Sequence, residues 1–160
     1  METTIENFYN AFSNFDADTM ITYYHDDIVF EDPAFGILRG ERAKAMWQML
    51  CQSQKKKGQN FKVVYSDIKA FENRGSAHWE AFYEFSKTGR KVHNKIDAQF
   101  EFKDGLIIKH IDYFNLHSWA KQAIGIKGLL FGGMGFFKTK LQKQTNYLLD
   151  KFIEEKKPSS

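Results

Sequence analysis

Apolar residues recur every three or four positions in the first third of the chain, and every second position from residue 61 onward. The first period is that of a helix with one buried face, the second that of a half-buried strand. Ile5, Phe8, Tyr9 and Phe12 predict an opening helix, with Thr3 and Glu6 placed as a capping box. Asp16 is placed to cap a second short helix whose apolar side is Met20, Ile21 and Tyr24. Residues 28–30 predict a short strand that stops at Asp32-Pro33, because proline offers no N–H to a ladder. Gly36 and Gly40 flank an expected loop. A third helix over 41–53 buries Met46, Trp47 and Leu50 and ends ahead of Gly58.

The period of two then predicts four long strands. They cover 61–71, 76–85, 90–102 and 106–115, joined by turns at 73–75, 86–89 and Asp104-Gly105. Short turns between successive strands imply an antiparallel meander. Trp79, Ala81, Tyr83 and Phe85 share one face of their strand, and His78, Glu80 and Glu84 the other. The tail departs from this pattern. Residues 119–124 continue helically, 125–135 are glycine-rich, and Leu141, Leu148, Leu149, Phe152 and Ile153 predict a last amphipathic helix before a frayed polar end. The glycines lack a preceding strand and a Gly-Lys-Ser/Thr sequence, so they make no phosphate loop. The expectation is one α+β domain, in which 1–123 form the sheet-and-helix body and 124–160 a helical extension of it.

Composition sharpens this. Aromatic residues are 16% of 160, more than a small core needs, which suits a chain that lines a cavity with rigid side chains. A net charge of +3 is too mild for a nucleic-acid reader. The run Lys55-Lys56-Lys57 is the solvated end of a helix, where cations suit the dipole. A lone cysteine, Cys51, allows no intrachain disulfide and fits a reducing compartment. The acidic start has no signal-like apolar core, and the longest apolar stretch, 124–137, is too short and glycine-broken to span a bilayer. A cytoplasmic protein without a membrane span is expected.

The order of elements and five stretches resemble the nuclear transport factor 2-like superfamily, which includes ketosteroid isomerases, epoxide hydrolases and SnoaL-like polyketide cyclases. The stretches are 8–12, 24–33 (ending Glu31-Asp32-Pro33), 88–91, 100–105 and 110–114. The resemblance spans about residues 3–120 and implies a cone-shaped antiparallel sheet wrapped around the N-terminal helices, with an apolar cavity inside. With strand parity it points Asn94, Ile96 and Ala98, and His110, Asp112 and Phe114, into the cone.

The resemblance also suggests chemistry. Asp32 occupies a position like that of the isomerase base, although Asp before Pro also shapes turns. Phe8 and Ala98 stand where the isomerases place their oxyanion donors, and neither can donate. Asp112 resembles one epoxide-hydrolase carboxylate, while Ile96 and Ala98 stand where its partners would fall. His110 and Asp112 resemble the acid–base pair of the cyclases, and a buried pair that stiffens the sheet is the alternative. Asn94 is placed either to donate to a ligand carbonyl or to satisfy His110. The expected catalytic set is Asp32, His110 and Asp112. The expected substrate contacts are Asn94, Trp47, Trp79, Tyr83, Phe114, Phe8 and Ala98. No metal and no cofactor are expected: His25, His78, His93 and His117 are scattered, and Cys51 has no base beside it. Three functions follow. One is a cofactor-free acid–base enzyme (isomerase, cyclase or hydratase-like) acting on a carbonyl-bearing apolar molecule. The second is a non-catalytic binder of a lipid or aromatic ligand. The third is a homodimeric structural domain, since relatives pair through the outer sheet face, here bearing His78, Glu80, His93, Lys95, Gln99 and Glu101.

Overall fold

The computed structural model describes residues 1–57, 61–131 and 135–156. Gly58, the Gly132-Gly133-Met134 part of the glycine-rich segment and the frayed end at 157–160 lie outside the described residues. The opening helix α1 (Glu2–Ser13) buries Ile5, Phe8, Tyr9 and Phe12. It starts earlier than the capping box implied. The Met1 carbonyl accepts from the Ile5 N–H at 3.1 Å, Thr3 lies inside the helix, and no side chain caps its start. The Glu2 carboxylate instead accepts the Ala70 N–H across the domain. Asp16 caps α2 (Ala17–Thr22) as the sequence implied, accepting from the Thr19 N–H at 3.0 Å.

Two corrections follow in the next stretch. Tyr24 begins β1 (Tyr24–Asp32), a strand three times longer than the predicted three residues. The expected loop between the glycines is β2 (Gly36–Arg39), antiparallel to β1. The hairpin closes because the Asp32 carboxylate accepts the Phe35 N–H at 2.5 Å, so a side chain fixes the turn. Helix α3 (Glu41–Lys57) is one turn longer than predicted.

The four long strands are β3 (Lys62–Phe71), β4 (Arg74–Phe85), β5 (Arg90–Lys103) and β6 (Leu106–Tyr113). They form the expected meander. Gly75 is not turn but strand, paired with Ala70, where a Cβ would lie 2.7 Å from Ile5 Cδ1. Asp104 and Gly105 both take positive φ, the geometry of a tight hairpin. The sheet order is β2-β1-β6-β5-β4-β3, and β1 runs parallel to β6. The sheet is therefore curved and mixed rather than wholly antiparallel. A return through α3 and the meander brings β6 beside β1 in the same direction, which short turns alone do not disclose.

The tail adds α4 (Leu116–Ile124), capped by the Asn115 side chain, α5 (Ile126–Phe131) and α6 (Gly135–Glu155). Asn115 thus caps a helix rather than ending a strand, and part of the glycine-rich segment is helical. Leu149 of α6 is fully buried in the main core with Ile5, Phe8 and Trp47. Among the described residues no helix is long and apolar enough to cross a membrane.

Candidate functional site

On the concave side of the sheet lies a cavity of about 1030 Å³. Its walls are Phe12 of α1, Met46, Trp47 and Leu50 of α3, and Trp79, Ala81 and Tyr83 of β4. Asn94 and Ile96 of β5 and Asp112 of β6 complete them. Asp32 enters from the end of β1, and Phe137, Leu141 and Phe152 of α6 close the outer side. Four lining residues follow from strand parity: Asn94 and Ile96 alternate along β5, and Asp112 and Phe114 along the β6 end. Asp32 shares the parity of Ile28 and Phe30, both buried, so the same rule turns it inward.

Asp32 shapes the 32–36 turn and lines the cavity at once. Burial raises its pKa to about 7; the Phe35 N–H bond pulls the other way, and the negative charge of Asp112 adds to the rise. A group so placed is part acid and part base near neutral pH.

Asp112 terminates a buried chain of hydrogen bonds. Trp47 Nε1 donates to the Tyr24 hydroxyl at 2.7 Å, and Tyr24 meets His110 Nδ1 at 2.7 Å. His110 Nε2 meets Asp112 Oδ1 at 3.0 Å, and Trp79 Nε1 donates to the same oxygen at 3.1 Å. An indole only donates. The arrangement that leaves no donor idle has Tyr24 O–H donating to Nδ1 and the Nε2–H donating to the carboxylate. It holds His110 as the neutral Nε2–H tautomer. Asp112 Oδ2 takes part in none of these bonds.

The structure brings Asp32, Asp112, Asn94, Trp47, Trp79, Tyr83 and Phe114 to one cavity. It leaves three expected residues out of the lining. His110 is fully buried behind Asp112, packed against Phe30, Phe100 and the Trp47 ring. Phe8 is fully buried against Tyr24 and Trp47, and Ala98 is 1% exposed. Phe8 of α1 packs on His110, their ring centroids 5.6 Å apart. Both His110 nitrogens are engaged by Tyr24 and Asp112, so Asn94 is not its partner.

Sequence reasoning missed Tyr24. Tyr24 continues the helical spacing of Met20 and Ile21, which hid it. The signal available was its even parity with Ile28 and Phe30. Tyr9, also fully buried, has a hydroxyl with no hydrogen-bond partner among the described residues, and burial pushes its pKa well up. Cys51 is buried beside Met20, and burial pushes its thiol up to about 12, which removes it as a nucleophile. Among the described residues no three His, Cys, Asp or Glu side chains converge on a metal site.

This chain belongs to the SnoaL-like domain family, whose model matches residues 5–110. Solved structures share the fold. A Mycobacterium tuberculosis epoxide hydrolase of the limonene-epoxide type is 26% identical, over 81% of this chain and 89% of its own, with a TM-score of 0.58. A proposed polyketide cyclase from Xanthomonas campestris pv. campestris is 20% identical over 75% and 93%, with a TM-score of 0.60. A Catenulispora acidiphila protein with a ketosteroid isomerase-like fold, solved with trimethylamine, is 13% identical over 75% and 91%, with a TM-score of 0.63. Comparison with curated proteins found no match.

Proposed function

We propose that this protein is a cofactor-free acid–base enzyme that moves a proton on a hydrophobic, carbonyl-bearing small molecule held in the cavity. One observation carries the proposal: two carboxyls, Asp32 and Asp112, face a single apolar cavity of about 1030 Å³ from contrasting environments. Asp32 is poised near 7 by burial, and Asp112 is held by a Trp79 N–H and His110. In the proposed step the Asp32 carboxylate takes a proton from the carbon next to the carbonyl. The electron pair moves onto the carbonyl oxygen; Asp32 then returns the proton at the far carbon of a conjugated enolate, or the enolate carbon attacks an internal carbonyl and Asp32 returns the proton to the alkoxide that forms. Asn94 is one of the amide side chains of the cavity and is available to the developing oxyanion. Asp112 contacts the ligand, while His110 and Tyr24 orient it from behind. The polyketide cyclase and epoxide hydrolase relatives support a small-molecule reaction in this family.

The test uses a panel of hydrophobic cyclic ketones in D2O, with deuterium uptake next to the carbonyl followed by NMR. Exchange that falls at least about a hundredfold in Asp32→Asn supports the proposal. Equal exchange by wild type and Asp32→Asn, or none above buffer with any of the ketones, overturns it.

A second reading, a ligand carrier without turnover, is favoured by Phe8 and Ala98, apolar where an isomerase needs donors. It expects line broadening of the ketones without deuterium uptake. As part of the same proposal, a second copy pairs on the outer face of β4 and β5, where His78 bridges Asp97 and Glu80. Sedimentation equilibrium at the dimer mass supports this pairing, and the monomer mass overturns it.

A further inference from the structure

Tyr83 has one of its hydrogen bonds arranged and another left open. Trp119 Nε1 of α4 donates to the Tyr83 hydroxyl at 2.7 Å. An indole can only donate, so this bond takes a lone pair of the phenol and leaves the phenol's own proton free to be given. Among the described residues no acceptor takes that proton, yet the half-buried Tyr83 lines the cavity. Burial pushes its pKa up, against the pull of the Trp119 bond, so the hydroxyl stays protonated at neutral pH. Trp119 is 8% exposed, packs with Val92, Ala120 and Ala123, and follows the residues 5–110 that the family model matches. The tail therefore fixes where this donor sits. Tyr83 stands four residues along β4 from Trp79, whose N–H holds Asp112. At about 3.3 Å per residue the two positions are about 13 Å apart on the cavity face. Asn94 lies between them, opposite Ala81.

We infer that the ligand of this cavity is an elongated, neutral, apolar molecule with an oxygen acceptor toward each end. The reactive carbonyl lies by Asp32 and Asp112, and a second carbonyl, ester or hydroxyl oxygen accepts from the Tyr83 O–H. Tyr83 is then a specificity-determining contact and Trp119 the positioning residue behind it. A volume of about 1030 Å³ is at the top of the roughly 300–1,000 Å³ range of small-molecule sites, so one ligand has room to reach both ends. A purely hydrocarbon far end would strip water from the phenol without replacing its bond. A charged far end has no single partner. Besides Asp32 and Asp112 the lining carries Glu84 and Glu155 as well as Lys87, Lys127, Lys140 and Lys151, charge of both signs. The carbonyl end rests on the acid–base reading, whereas the Tyr83 contact is read from binding without turnover.

The experiment measures calorimetric Kd values of the full chain for two probes of one skeleton: a bicyclohexyl with a ketone at each end, and the same bicyclohexyl with a single ketone. Wild type should bind the diketone about five- to tenfold more tightly than the monoketone, the worth of one neutral hydrogen bond. Tyr83→Phe should bring the two Kd values together by weakening the diketone while leaving the monoketone nearly unchanged. A merely structural role would weaken both alike. Tyr83→Phe leaves the Trp119 N–H idle, so its melting temperature is measured alongside. Trp119→Phe keeps the hydroxyl but removes what orients it, and it should narrow the same preference if Tyr83→Phe does not fold. A wild type that does not distinguish the two ketones overturns the inference, as does a preference that survives in whichever variant folds. In the second case the phenol gives its proton to water alone. If both ketones bind equally and still take up deuterium, only this inference falls and the acid–base reading stands. If neither binds, both fall.

Discussion

Asp32 does two jobs, and they pull on its charge in opposite directions. Its bond from the Phe35 N–H stabilises the carboxylate, while its place in the apolar cavity penalises it. Burial wins, and the folded pKa of about 7 lies above the ordinary 3.8 of an aspartate. The sign of the linkage follows. Between pH about 4 and 7 the folded protein keeps a proton that the unfolded chain has lost. Asp32 therefore lowers stability progressively as pH rises through that window, with no further change above it. Asp32→Asn keeps an oxygen for the Phe35 N–H and removes the charge. Urea titrations should show the variant gaining on wild type from pH 4 to 7 and keeping that gain at pH 8. A variant that tracks wild type at every pH would place Asp32 in water. Any proton-transfer rate should rise with pH through the same midpoint, because the base is the ionised form. Tyr24→Phe leaves the Trp47 N–H and His110 Nδ1 without their shared partner. It should cost about 1–3 kcal/mol in urea unfolding, and a cost within error would show that the chain of bonds holds nothing in place.

Elements differ in how plainly the chain announces them. The helix periods, the Asp16 cap, the meander and the Asp104-Gly105 hairpin are all local signals and were legible. So was the inward parity of Asn94, Ile96, Asp112 and Phe114. The parallel pairing of β1 with β6 was not, because it depends on where the chain returns after more than 70 residues. Nor was β2, whose turn is closed by the Asp32 side chain. His110 had the correct parity yet misses the cavity, since parity names a face and not the depth of what packs on it. Helix α6 binds the same turn: Thr145 and Asn146 side chains donate to the Ala34 and Phe35 carbonyls at 2.8 Å, and Gln142 to the Pro33 carbonyl at 3.2 Å. Asn146→Ala should therefore raise amide hydrogen exchange at 34–36 more than in the distant β3–β4 hairpin, and unchanged exchange would separate the tail from the site. At the close approach of α1 to the sheet, Gly75→Ala should destabilise by about 1–3 kcal/mol, measured by thermal unfolding. A neutral result would mean that Ile5 can swing aside.

For the whole molecule, a sheet bent around α1 and α3 leaves an apolar space that the tail covers. The aromatic surplus seen in the sequence is divided between two uses. Phe8, Tyr9 and Phe100 fill the layer beneath the cavity, and Phe12, Phe30, Trp47, Trp79 and Tyr83 form its wall. The account turns on whether the carboxyl of Asp32 belongs to that space. The most direct measurement is a carbon-13 NMR titration of the Asp32 side-chain carboxyl, assigned by its loss in Asp32→Asn. A midpoint near 7, moving further when a hydrophobic ligand is added, is the predicted result. A midpoint near 3.8 that no ligand moves would put Asp32 in solvent and contradict the assignment of this cavity as an acid–base site.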